Sequence, residues 1–287
     1  MATTRDEIYQ QVTEQIMADL EQGVLHWAQP WTGGFGLPRN ASTENYYSGI
    51  NILILWMRQK KAGFQSSQWL TFNQARELGG SVRKGEKATR IIFYSPLKVE
   101  EKNAAGELES KTVPMLKTHS VFNLTQIEGL ETLLESELGT TSIPQPEICA
   151  EAERILSLSQ AKVDFDGGAM AFYDVVSDSI HLPAKSTFNE QLGYYTTLLH
   201  ELTHWTGTES RLGRSLSAKA TPEYAKEELI AELGSSFLCA HVGLTYTSQH
   251  ASYIESWLKV LREDMSAIFK AASQARRATE FLTQANH

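Results

Sequence analysis

The order of apolar and polar positions separates this chain into two runs of different character. In the first, Ile8, Val12, Ile16 and Leu20 recur at helical spacing and Gly23 stops them, which predicts a helix from about Asp6 to Gln22. Trp27, Pro30, Trp31, Gly33, Gly34 and Gly36 then set large rings on an irregular loop. A second helix is predicted from about Ile50 to Lys61, apolar at Ile50, Leu53, Ile54 and Met57, and a third from Thr71 to Leu78 before Gly79-Gly80. Strand pattern follows: Ile91 to Tyr94, an exposed hairpin turn over Glu100 to Lys111, and a returning strand over Thr112 to Asn123. Residues 124–146, with Gly129, Gly139, Pro144 and Pro146 amid acids, read as a linker.

The second run opens with a helix over Glu147 to Leu158. Two short strands follow, Gly167 to Tyr173 and Ser179 to Pro183, about a turn at Asp174 to Asp178. Tyr194 to Leu199 has no Gly, Pro or charge and leads a helix into His200, and Thr221-Pro222 to Gly243 bounds another. Ser252 to about Leu282 is helical, broken at most once, with Trp257, Leu258, Leu261, Ile268 and Phe269 on one side. The expected fold is therefore α+β in two domains: an α+β domain over 1–127, a linker over 128–146, and a mostly helical domain over 147–287.

Composition changes this picture in one respect. At 287 residues, with 41% hydrophobic and 21% charged, the chain is ordinary for a globular protein of two domains. No apolar run approaches a membrane span, the first residues offer no apolar signal core, and Cys149 and Cys239 are not closely spaced, so a reducing, cytoplasmic setting is expected. The net charge of −8, however, is uneven: residues 1–127 carry +2 and residues 128–287 carry −10. Within the first half, residues 39–98 hold ten basic and three acidic side chains, which points to an anion-binding surface.

Two stretches carry chemistry. Ser81 to Arg90 is a basic, glycine-containing turn feeding the strand Ile91-Ile92-Phe93-Tyr94. Charge for phosphates beside rings for bases is what a sequence-tolerant single-strand binder needs; Arg83, Lys84 and Lys87 are the candidate phosphate contacts, and Trp31, Tyr46 and Trp69 the candidate stacking rings. In His200-Glu201-Leu202-Thr203-His204, two histidines four apart on a helix share a face and can take two corners of a metal site, while Glu201, one residue round, reaches a water held there. Glu228 and Glu232 are likewise four apart, so one can bind the metal while the other orients a ligand histidine. Zinc is the expected ion, and manganese or cobalt would also suit such a site. Tyr173 and His181, on the predicted strands, are possible oxyanion helpers.

The spacing Glu228-x-x-Ala231-Glu232 resembles the second motif of the gluzincin metallopeptidases, which implies Glu228 as third ligand and Glu232 as orienter, with Glu227 the rival for the ligand's place. More broadly, Trp27-x-x-Pro30-Trp31, Pro38-Arg39-Asn40, Tyr47-x-Gly49-Ile50-Asn51, Trp69-x-Thr71-Phe72, Gly79-Gly80-x-Val82-Arg83-Lys84-Gly85-Glu86-Lys87, Val121-Phe122-Asn123, His200 to Gly207 and Glu227 to Glu232 together resemble the ArdC family of plasmid antirestriction proteins, over nearly the whole chain. That resemblance implies an N-terminal single-stranded-DNA-binding domain, a C-terminal zincin-like metallopeptidase domain, and protection of incoming conjugative plasmid DNA from host restriction. Two functional classes follow. In one, DNA binding localises a peptidase that cuts a host restriction or DNA-bound protein; in the other, a non-proteolytic module shields DNA or occupies the restriction enzyme and the metal only holds the fold.

Overall fold

The computed structural model describes residues 5–25, 27–28, 36–102, 108–139, 145–166, 168–188, 190–214, 216, 221–246 and 253–284, with backbone only over 94–102, 108–109, 111–115 and 145–149. Helix α1 (Arg5–Glu21) and helix α2 (Ile50–Ala62) form where the apolar spacing predicts them; Gly63, left-handed at φ 69°, closes α2. Strands β1 (Arg39–Asn40) and β2 (Gln68–Thr71) precede α3 (Phe72–Glu77), whose start is a capping box between Thr71 and Gln74. Strands β3 (Ser81–Val82), β4 (Thr89–Lys102) and β5 (Leu108–Asn123) follow, and the four-stranded sheet runs in the order β1-β2-β5-β4.

Two stretches differ from the sequence reading. Strands β4 and β5 pair continuously from Thr89↔Val121 to Lys102↔Leu108, so most of the expected turn over 100–111 is strand; residues 103–107 lie outside the described set. In a two-stranded antiparallel ribbon, backbone pairing supplies the order and neither face has to be apolar, so charged composition there does not signal a turn. The expected linker is also structured up to Gly139. After a capping box at Asn123, β6 (Ile127–Glu128) pairs with β3, and α4 (Glu131–Gly139) follows. Leu124, Ile127 and Leu130 pack with Leu70 and Ala75, and Glu137 accepts hydrogen bonds from Ser66 Oγ, Ser67 N and Ser67 Oγ.

The second half contains α5 (Gln145–Ser159), a three-stranded sheet of β7 (Lys162–Asp164), β8 (Phe172–Asp174) and β9 (Ser179–His181) in the order β7-β9-β8, and helices α6 (Gln191–Trp205), α7 (Pro222–Val242), α8 (Ile254–Glu263) and α9 (Ala267–Thr283). The break between α8 and α9 is at Asp264 to Ser266, and the five apolar residues expected to face inward there are all buried. Buried alanines 271, 272, 275 and 278 give α9 a thin face where it packs on α7.

One hydrophobic core crosses both halves. Trp27 meets Trp257 at 5.9 Å, Trp56 meets Phe237 at 5.8 Å, and Tyr9 meets Phe269 at 4.3 Å between ring centroids. Polar ties reinforce the seam: Thr13 Oγ1 donates to the Met265 carbonyl at 2.7 Å and Ser236 Oγ to the Trp27 carbonyl at 2.6 Å.

Candidate metal centre

Helix α6 points His200, Glu201 and His204 at α7, and the approach of the two helices is set by one residue. A Cβ on Gly234 would lie 2.5 Å from Cγ2 of the fully buried Thr203, so only glycine lets the helices come this close. At its start, α7 is fixed by Thr221, which accepts from the Tyr224 amide at 3.1 Å, and by Pro222 in the first turn. Tyr224, Glu227 and Glu228 are thereby carried on the first two turns, opposite the histidines.

His200 Nε2 lies 3.7 Å from Glu228 Oε2 and His204 Nε2 lies 3.6 Å from Glu228 Oε1, and the three ligand atoms fall within 4.8 Å of one another. These gaps are too long for direct hydrogen bonds. They are close to the roughly 3.3 Å edge of a tetrahedron whose metal–ligand bonds are about 2.0–2.1 Å, so the donor set fits a divalent cation. The pocket beside it, about 210 Å³, is lined by Glu201, Phe172, Tyr173, Tyr224 and Tyr253 as well as the ligands. Tyr224 and Tyr253 set their hydroxyls 3.3 Å apart.

The electrostatics follow from burial. Desolvation pushes the His200 imidazole down, but Glu228, Glu201 and Glu232 around it more than compensate, lifting it to about 9. Burial disfavours the Glu228 carboxylate, yet His200, His204 and Tyr224 hold it down to about 2. Glu227 is held below its ordinary range against the same desolvation by His204 and Arg214. Tyr224 is pushed well up, first by burial and then by Glu228.

Two acids stand behind the histidines: Glu232, the acid expected to orient a ligand, is beside His200, and Glu227, read from sequence only as a rival ligand, is beside His204. Glu227 Oε1 is 3.2 Å from His204 Nδ1, and Arg214 clamps the same carboxylate through Nε at 3.0 Å and Nη2 at 2.9 Å. Arg214 also donates to the Thr203 carbonyl and to Thr206 Oγ1, so it ties the end of α6 to α7. Glu227 thus faces the His204 nitrogen that is turned away from Glu228, with its carboxylate held by Arg214. Glu232 is fully buried, 4.0 Å from His200 Nδ1, and accepts from Tyr246 at 2.8 Å. His181 is not among the pocket's lining: its Nδ1 is 2.6 Å from Asp166, its Nε2 is 2.9 Å from Ser179 Oγ, and its ring stacks on Phe172. Tyr173 does line the pocket, but its hydroxyl is bound to Asp178 and Arg211.

In the N-terminal half, Arg83, Lys84 and Lys87 are exposed on a turn anchored by Gln126, whose side chain donates to Glu86 at 2.6 Å and to the Lys87 carbonyl at 3.2 Å. Tyr46 is 57% exposed. Trp69 is a correction: at 0% exposure it fills a core with Tyr47, Leu55, Ile91 and Val121 and offers no face to a base. Its strand lies between β1 and β5, and the successive residues Gln68, Trp69 and Leu70, which point to alternate faces, are all buried. Trp31 lies outside the described residues. Phe93, 45% exposed and edge-on to His119 at 5.0 Å, presents a ring that sequence pattern did not distinguish from its buried neighbours.

Fold and site together define a zincin-like protein joined to an antirestriction-type N-terminal domain. Residues 150–274 match the zincin-like metallopeptidase family and residues 6–122 match the N-terminal domain of anti-restriction factor ArdC. The chain is 37% identical to the antirestriction ArdC protein of plasmid R388 in its metal-free crystal structure, with a TM-score of 0.82 and 97% of each chain covered. The manganese(II)-bound structure of that protein gives 36% identity and a TM-score of 0.77, covering 96% of this chain and 97% of that one. Among curated proteins, the y4eC protein of Sinorhizobium fredii is 32% identical over 97% of this chain and 92% of its own length. The DNA primase TraC of Escherichia coli is 36% identical over 98% of this chain, which spans only 27% of the primase. The chain belongs to the ArdC family of antirestriction proteins. Among the described residues no helix is long and apolar enough to cross a membrane.

Proposed function

We propose that this protein binds single-stranded DNA through its N-terminal half and hydrolyses a peptide bond at the centre built by His200, Glu201, His204 and Glu228, protecting incoming plasmid DNA in the cytoplasm by removing a host protein that acts on it. The observation that carries this reading is the convergence of His200, His204 and Glu228 from two helices onto one small volume beside Glu201 and an open cleft. Zinc, or manganese or cobalt in its place, would be held by those three side chains and would supply Lewis acidity toward the scissile carbonyl. Glu201 takes a proton from the attacking water and returns it to the leaving amine. Glu227, locked by Arg214, fixes the His204 ring so that Nε2 faces Glu228. Tyr224 and Tyr253 set two hydroxyls on the cleft wall, where they can turn to a developing oxyanion; the Tyr173 hydroxyl is bound to Asp178, and His181 lies outside the lining. Strand β8 is an edge strand lining the cleft, where an extended substrate can add by backbone pairing.

The competing reading gives the metal a purely structural task, and the shared core favours it to this extent: pinning α6 to α7 steadies the whole molecule. Glu201→Gln separates the two. Peptidase action requires that antirestriction be lost while metal content and DNA binding persist; survival of protection in that variant would refute it.

A further inference from the structure

On the face of the β4–β5 ribbon opposite Trp69 lies a groove of about 840 Å³ between α1, the C-terminal half of α2 and the start of β4. The alternation of β4 separates the two faces: Ile91 joins the core around Trp69, whereas Arg90 and Ile92 turn to the groove with Thr118, the cross-strand partner of Ile92. Its floor is aliphatic, from Ile8 and Val12 on α1, Ile54 and Met57 on α2, and Ile92. Its rim is cationic: Arg58, Lys60 and Lys61 from the last turns of α2, with Lys87 and Arg90, against one carboxylate, Asp19, among the described lining residues. On a chain of net charge −8 this concentration is a departure from the rest of the surface.

We propose that this groove is the path of the single strand, with phosphates on the rim and unpaired bases laid on the aliphatic floor. The assignment rests on the single-strand reading given above and adds to it a place and a mode. A ligand that uses both surfaces must carry repeated negative charge and exposed apolar faces. Duplex DNA has the charge but keeps its base faces stacked inside, and a small anion leaves the floor wet; an unpaired nucleic-acid strand satisfies both. The groove is continuous with the basic turn through Lys87, so a strand leaving past it meets Lys84 and Arg83. Among the described residues no ring lines the groove, so aliphatic packing takes the place that Trp69 was expected to fill.

The test uses the full chain and a fluorescent oligo-dT, titrated over a range of salt. In the Lys60→Gln, Lys61→Gln, Arg90→Gln variant, the slope of log affinity against log salt should flatten by about 2, from roughly 0.7 per lost phosphate contact. An Arg76→Gln, Lys117→Gln control, which removes two exposed cations that do not line the groove, should match the wild type. An abasic strand of equal length should bind about tenfold or more weakly than oligo-dT. Melting curves accompany each variant, and Lys61→Gln alone, at an exposed position, serves if the triple substitution unfolds. Wild-type binding with an unchanged triple (or Lys61→Gln) variant, or equal affinity for the abasic strand, overturns the groove assignment and leaves single-strand binding standing. Displacement of oligo-dT by polyglutamate at equal charge concentration would make the groove an acidic-peptide site and overturn the assignment as well. If the wild type binds no oligonucleotide, the underlying single-strand reading fails first.

Discussion

Raising the pH from 7 to 8 should tighten metal binding by about tenfold. In the metal-free protein His200 is lifted to about 9 by the carboxylates around it, whereas Glu228 is held near 2 and carries no proton in this range. A metal ion needs the neutral imidazole, so at pH 7 it must displace a proton from about 99 of every 100 molecules, and each pH unit toward 9 relieves that competition by nearly a factor of ten. A histidine titrating at its ordinary 6.5 would yield only about a 1.3-fold change over the same unit. The assay is competition with a chromogenic chelator, corrected for the chelator's own pH dependence, together with calorimetry in two buffers of different ionisation enthalpy to count the proton released. A change below twofold, or no proton released at pH 7, would refute the argument that three buried carboxylates control this site. The stability of the metal-free protein carries the opposite sign. A group whose pKa is raised on folding contributes stability fully present below its unfolded value near 6.5 and lost as pH rises through 9, so the metal-free melting temperature should fall across that window while the loaded protein's does not.

Three substitutions test the remaining geometry. Glu228→Gln should abolish stoichiometric metal binding by elemental analysis, whereas Glu227→Gln should retain the ion with affinity weakened about 10–100-fold, because it releases His204 without removing a ligand; equal losses in both would return Glu227 to the ligand set. Gly234→Ala should cost about 1–3 kcal/mol in denaturant unfolding and weaken metal binding with it, since the added Cβ drives α7 away from Thr203; retention of full metal affinity would show that helix spacing does not set the site. Trp69→Ala should unfold or destabilise the protein by about 3–5 kcal/mol, with any loss of DNA binding tracking the melting curve.

What the sequence made legible was local and periodic. The pair His200 and His204, and Glu228 one helix away, can be read because 3.6-residue periodicity fixes which side chains share a face before any tertiary contact exists. Arg214 cannot be read in that way. It sits in an irregular loop, and its partnership with Glu227 arises only when the chain after α6 folds back; two adjacent acids on a buried helix do call for a counter-charge, but nothing names which one. Trp69 was misread for a related reason. A tryptophan on a short strand offers the same pattern whether its face meets solvent or a second layer, and the covering by Tyr47 and Leu55 is a matter of topology. The positive charge of residues 39–98 was visible, yet the second wall of the groove comes from α1, whose apolar stripe reads as an ordinary core helix.

Helix α1 has a consequence for where this protein can be cut. One of its faces closes the cationic groove, while Tyr9 and Thr13 fasten it to Phe269 and Met265 at the other end of the chain. Separating the halves would therefore uncover Tyr9, Trp27 and Trp56 on one side and Phe269, Trp257 and Phe237 on the other. In the primase relative the similarity likewise runs through both halves, 36% identical over 98% of this chain. A gene fragment ending at residue 127 would deliver a helix with its wall but without its anchor.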